Sequence, residues 1–181
     1  AGLTYGDVQA STALAVPGEN FVLDGFSKRY AMTGFRLGYA IAPVEAMRSL
    51  QVMQQNLFIS ASSFVQSAGL AALREGAAEV ETMRRAYDRR RTLLLDGLRE
   101  LGFRVPCEPE GAFYIFADAS AFGRDSRKLA FDILERAHVG VTPGVDFGAA
   151  GEGWLRFCYA ASEEALEEAL GRLARVLPEF A

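Results

Sequence analysis

Cysteine and histidine are nearly missing from the 181 residues: there are two cysteines, Cys107 and Cys158, and one histidine, His138. That excludes a disulfide framework, a cysteine-rich metal site and any histidine cluster built from this chain alone, so no metal centre is expected. Positive charge is not in excess either. The net charge is −4, which leaves no global field to collect nucleic acid or an anionic membrane surface. Apolar runs are short; Tyr39–Pro43 is typical and falls far below the ~20 residues of a membrane span. Lysine is scarce as well: of 19 basic residues only Lys28 and Lys128 are lysines, so any lysine chemistry has two candidate positions. What is present is apolar bulk. Half the chain is hydrophobic and 11% is aromatic, enough to bury a sizeable core and unlike a disordered tail or a disulfide-stapled miniprotein. Its length suits one ordinary domain or two small ones. The expectation is a soluble protein of a reducing, cytoplasmic compartment. The chain opens Ala-Gly-Leu-Thr-Tyr, without initiator Met, basic segment or apolar segment, and is expected to be an interior stretch of something longer.

Along the chain, residues 1–19 are polar and turn-rich. Phe21–Phe26 and Leu37–Ala42 read as short strands, the second stopped by Pro43, with a dense polar stretch between them. Helical spacing predicts helices over Val44–Gln54, Ser63–Arg74 and, longest, Ala77–Leu101, where Val80, Met83, Tyr87, Leu94, Leu98 and Leu101 share one face. The pattern then changes. Phe103–Val105, Ala112–Ala117, Val139–Val141 and Trp154–Tyr159 read as strands, and Arg127–Arg136 and Glu163–Leu177 as helices. The organisation expected is a first piece over 1–76, a connecting helix over 77–101, and a compact α+β unit over 102–181. Two strands alone are marginal in water, so segment 1–43 makes sense as the rim of a larger sheet.

Lys28 sits at the end of a strand-like run, with Arg36 eight residues on. A lysine amine can attack a carbonyl once a fraction of it is neutral. A neighbouring Arg favours the neutral amine and can grip a phosphate with its planar fork. Amine plus phosphate clamp is what pyridoxal phosphate requires, although at this spacing alone a solvated pair on a surface turn is the commoner arrangement. Other candidates read blandly. Gly148–Gly153 lacks the strand-to-helix setting and the Lys-Ser/Thr of a nucleotide loop and reads as a flexible turn. His138 reads as a solvated helix end, Cys158 as packing and Lys128 as surface. Arg84–Arg91, interleaved with acids, reads as a solvated helix face.

The literal string Ser27-Lys28-Arg-Tyr-Ala-Met-Thr-Gly34-Phe-Arg36-Leu-Gly38-Tyr39 resembles the cofactor-attachment segment of class I/II aminotransferases, the fold type I, aspartate aminotransferase-like family. The match is long and ungapped. The resemblance implies that Lys28 forms the Schiff base with pyridoxal phosphate, that Arg36 binds its phosphate, and that Gly34 and Gly38 let the backbone turn closely. Gly25 departs from the family, where a serine at that position often adds a phosphate contact. Further on, Trp154-Leu-Arg156-Phe-Cys-Tyr resembles the strand whose arginine binds the substrate α-carboxylate, a role this implies for Arg156. Gly111–Phe116, Thr142–Gly144 and Phe147–Gly148 resemble the small domain of the same family.

That resemblance implies the end of a large α/β cofactor domain, then an α+β small C-terminal domain: roughly the C-terminal half of such an enzyme. The acid that partners the pyridinium nitrogen, and the tyrosine and asparagine at the ring, lie upstream of the lysine in the family. The expected activity of the parent protein is amino-group transfer between an amino acid and a 2-oxo acid through a Lys28 aldimine. The protein is expected to act as a homodimer, and the 181-residue chain by itself is expected to be inactive. In the aspartate enzymes of the family an arginine from the partner's loop, near Ser60–Ser63 by alignment, reads the substrate side chain; no Arg lies between Arg48 and Arg74 here, so the resemblance implies that a dicarboxylate substrate is less expected. A C–S β-lyase of the same fold, or a non-catalytic folding or dimerisation module, are the alternatives.

Overall fold

A computed structural model describes residues 3–180. Two compact units make up the chain, one running to Arg84 and the other starting at Arg85, so the division falls inside a long helix.

The first unit is built on a hairpin. β1 (Val22–Gly25) pairs antiparallel with β2 (Gly38–Ile41), in register from Val22 opposite Ile41 to Gly25 opposite Gly38. Both strands fall where the short apolar runs predict them. The polar stretch between them winds into a one-turn helix, α1 (Phe26–Arg29), and a 3-10 turn at Thr33–Phe35. Phe26 anchors this turn: it is buried, and its ring meets Tyr30 at 5.4 Å and Tyr39 at 6.0 Å. Helices α2 (Val44–Leu57) and α3 (Ser63–Glu75) follow. α3 touches the turn through Gly69, where a Cβ would lie 2.4 Å from Leu37 and 3.6 Å from Phe26. Any larger residue there would push the turn away. α2 buries none of its residues, so its amphipathic spacing is real but its apolar side faces no core here.

The second unit closes on itself. α4 (Ala77–Glu100) contributes Leu94, Leu95 and Leu98, all buried. A three-stranded antiparallel sheet runs in the order β3 (Tyr114–Asp118), β5 (Trp154–Cys158), β4 (Thr142–Pro143). One face carries Ile115, Ala117, Leu155 and Phe157 into the core, where helices α5 (Ser126–Ala137) and α6 (Glu163–Val176) supply Leu129, Ile133, Leu166 and Leu173. Asp125 and Ser162 cap these two helices, accepting from the Lys128 and Ala165 N–H groups. The alternate face carries Phe116 directly opposite Arg156.

Two expected strands are not there. Over 103–105 a single bridge forms, Arg104 to Asp118, although Phe103 and Val105 are buried on one side as the alternation requires. Pro106 follows, and with no N–H it cannot extend a ladder. Over 139–141 no strand forms either. His138 closes α5 in the left-handed conformation, Gly140 offers no side chain to pack, and pairing with β5 begins at Thr142. No helix among the described residues is long and apolar enough to cross a membrane, and no group of His, Cys, Asp and Glu among them is placed to hold a metal.

Candidate active site

In the first unit, the turn between β1 and β2 folds Lys28 and Arg36 onto one open recess of about 440 Å³, lined also by Asp24, Gly25, Ser27, Leu37 and Gly38. The turn is held locally. The Phe26 N–H bonds the Leu37 carbonyl at 3.1 Å, and the Thr33 hydroxyl donates to the Ser27 carbonyl at 3.1 Å. Nη1 of Arg36 donates to the Thr33 carbonyl at 3.0 Å, so Thr33 ties the backbone beside Lys28 to the guanidinium. Arg36 itself is left-handed, with φ 53° and ψ 41°. A non-glycine residue held there costs of order 1–3 kcal/mol, and such strain concentrates where function needs it. The recess is cationic with one acid in it. Asp24 accepts from the Gly25 N–H at 2.7 Å and from the Tyr39 hydroxyl at 3.4 Å. Burial first, and then the Asp24 carboxylate, raise the Tyr39 pKa. The Gly25 position, which has no side chain, thus also has its N–H engaged by Asp24.

In the second unit, Arg156 stands on the sheet face away from the core. Its Nη2 donates to Thr142 Oγ1 at 3.1 Å, and its Cζ lies 4.3 Å from the Tyr114 ring centroid and 4.8 Å from that of Phe147. Nε is buried without a hydrogen-bond partner, and no acidic side chain pairs with Arg156 among the described residues. Phe147 ends a 3-10 turn, Gly144–Phe147. That turn is pinned from below. The carboxylate of Glu152 accepts from the Ser126 N–H at 2.6 Å and the Gly153 N–H at 3.1 Å, which lowers its pKa, and Ser126 Oγ accepts from the Val145 N–H at 3.3 Å. The segment Gly148–Gly153, expected to be a flexible turn, is therefore a hydrogen-bonded one.

Lys28 and Arg36 thus share one site, and Arg156 stands on the other unit. Sequence reasoning did not single out Asp24 and Thr33 in the first, nor Tyr114, Thr142 and Phe147 around Arg156 as its partners. Thr33 was reachable, because it lies within the same short turn. The ring partners were not, because they depend on which strands pair and in what register.

Comparison with known proteins places these features in context. The family described as aminotransferase class I and II matches residues 1–173. An aspartate aminotransferase of Pyrococcus horikoshii is 39% identical over 96% of this chain and 45% of its own length. A (5-formylfuran-3-yl)methyl phosphate transaminase of Methanocaldococcus jannaschii is 39% identical over 88% of this chain and 42% of its own. Among solved structures, the aromatic aminotransferase from Pyrococcus horikoshii superposes with a TM-score of 0.93 at 38% identity, covering 98% of this chain and 48% of that one. The chain spans about half the length of the curated relatives it matches, 45% in the first case.

Proposed function

Because the chain belongs to the class I and II aminotransferase family, we propose that its whole protein moves an amino group between an amino acid and a 2-oxo acid with pyridoxal phosphate. The observation that carries this is the shared recess of Lys28 and Arg36. One amine and one guanidinium, on a turn in which Thr33 links the Ser27 carbonyl to Arg36, are the donor set that a phosphorylated aldehyde calls for, so the residues present fit the cofactor. When bound, the pyridoxal ring supplies an electron sink for the bonds at the substrate α-carbon.

In this reading Nζ of Lys28 holds the cofactor covalently and, once displaced by substrate, takes the proton from the α-carbon. Arg36 binds the phosphate with charge-assisted hydrogen bonds. Arg156, with no acid against it among the described residues, binds the substrate carboxylate and orients the amine. The protein works as a homodimer, and the 181-residue chain by itself does not turn over. The relatives' names cover aspartate, aromatic and phosphate-ester substrates, and the side chain accepted is a property of each protein rather than of the family.

The test is Lys28→Ala in the whole protein. The visible absorbance band of the lysine-held cofactor should vanish while the circular dichroism of the fold is unchanged. An unaltered visible spectrum would overturn the assignment. Product analysis then separates the chemistries. A 2-oxo acid plus a new amino acid supports transfer, whereas pyruvate plus ammonia from a thioether amino acid means β-elimination.

A further inference from the structure

Arg156 carries a charge that no carboxylate neutralises among the described residues, yet it is not loose. Two rings from two different elements lie against the guanidinium: Tyr114 from β3 at 4.3 Å and Phe147 from the 3-10 turn at 4.8 Å. Phe147 is itself braced. It meets Phe116 edge to face at 5.8 Å, and Phe116 stacks on Trp154 at 5.2 Å with 15° between their planes. Among the described residues Thr142 supplies the one hydrogen bond to the cation, and Nε lies buried with no acceptor.

The alternatives differ in what they leave for a ligand. A carboxylate partner would hold the guanidinium and also cancel its charge, and removing it would leave a buried ion unpaired. An aromatic face holds a cation through its quadrupole without neutralising it. A side chain held this way also gives up its rotamer freedom on folding rather than on binding, which is the essence of preorganisation.

We propose that Tyr114 and Phe147 are positioning residues for Arg156, fixing its guanidinium between aromatic rings so that an incoming amino-acid carboxylate meets a cation already oriented and still fully charged. This rests on the reading of Arg156 as the carboxylate-binding residue. Phe116 and Trp154 act one step further out, by holding the Phe147 ring.

The experiment is a titration of the 181-residue chain with propionate, followed by the 15N side-chain signal of Arg156 Nε. In the unaltered chain that signal should be sharp, slow to exchange with solvent, and should shift saturably with propionate. Phe147→Leu and Tyr114→Leu should each broaden it and weaken propionate binding by about three- to tenfold, the scale of one cation–π contact. Phe147→Tyr and Tyr114→Phe, which keep the rings, should stay within about twofold of the parent on the same scale. Phe147 is 53% exposed, so its replacement is read without opening the core, and thermal unfolding of every variant checks this. Arg156→Lys, which has no Nε signal and is followed through the backbone amides of β5 as the parent also is, separates the two levels of the claim. If it binds propionate as the parent does, the carboxylate role of Arg156 fails and the proposal with it. If it loses binding while both leucine variants bind normally with an unchanged Nε signal, the positioning role alone is overturned.

Discussion

The two units spend their apolar residues in opposite ways. From Arg85 onward, Leu98, Ile115, Ile133 and Leu155 are 0% exposed, gathered between a small sheet and three helical segments. Before that point Leu23 is 80% exposed, Val44 82%, Phe58 73% and Phe64 71%. The two are similarly rich in apolar residues; the difference is whether each apolar face finds a partner within the unit. β3 has β5 beside it and a helix layer on one face. β1 has only β2, and α2 has nothing buried at all. Yet the unit with the poorer core carries the turn with Lys28 and Arg36. Local ties hold that turn, Phe26 beneath it and Thr33 across it, so its geometry depends little on how well the rest of the unit is packed.

That contrast can be broken first by volume. Leu155→Ala should destabilise the chain by about 2–5 kcal/mol, as expected for a leucine truncated in a closed core. Leu23→Ala, in the open hairpin, should stay within about 0.5 kcal/mol. Urea unfolding of both variants measures this, and equal losses would mean that Leu23 is covered in solution. Next comes the site. In the whole protein Arg36→Ala should weaken cofactor retention by about 1.5–3 kcal/mol, the scale of hydrogen bonds to a charged group, with no change in the unfolding of the second unit. Dialysis against cofactor-free buffer reads it.

The smallest effect sharpens the comparison through pH. Asp118 is buried, which by itself raises its pKa, but hydrogen bonds from Ser120 and Arg104 outweigh that and set it below the usual carboxylate value. A carboxyl whose folded pKa is depressed adds stability above its unfolded pKa, near 3.9, and loses it as pH falls through the lower folded value. Since the Arg104 side chain is 79% exposed, solvent screens the pair and the term should be under about 1 kcal/mol. The stability gap between the parent and Asp118→Asn should therefore be constant from pH 7 to pH 5 and close below about pH 4. A gap that does not narrow as the pH falls below about 4 would show that the side chain acts by packing.

Legibility in the sequence followed locality. The helices were readable because their signal repeats within the element: the spacing over Ala77–Leu101 appears as Ala77–Glu100, and that over Ser63–Arg74 as Ser63–Glu75. Lys28 and Arg36 were readable as a pair because eight residues of turn suffice to bring them to one recess. Phe103–Val105 misled because alternation reports burial, not pairing, and Pro106 ends the ladder after one bridge. The surroundings of Arg156 were out of reach for the same reason. That Tyr114, Phe147 and Thr142 all meet one guanidinium follows from the register of three strands and the fold of a turn, and none of it repeats along the chain.

Beneath that turn two glycines meet back to back. A Cβ on Gly144 would stand 2.0 Å from the Gly151 carbonyl oxygen, and one on Gly151 would stand 2.2 Å from that of Gly144. Each obstacle is main chain, which every amino acid carries. No change at one position can therefore make room for a side chain at the other, as an exchange of large for small does in a core. The two sites are bound together yet cannot compensate for each other. In a library of random variants both should read as glycine independently, with no second-site suppressor linking them, and the ring of Phe147 inherits its place from that constraint.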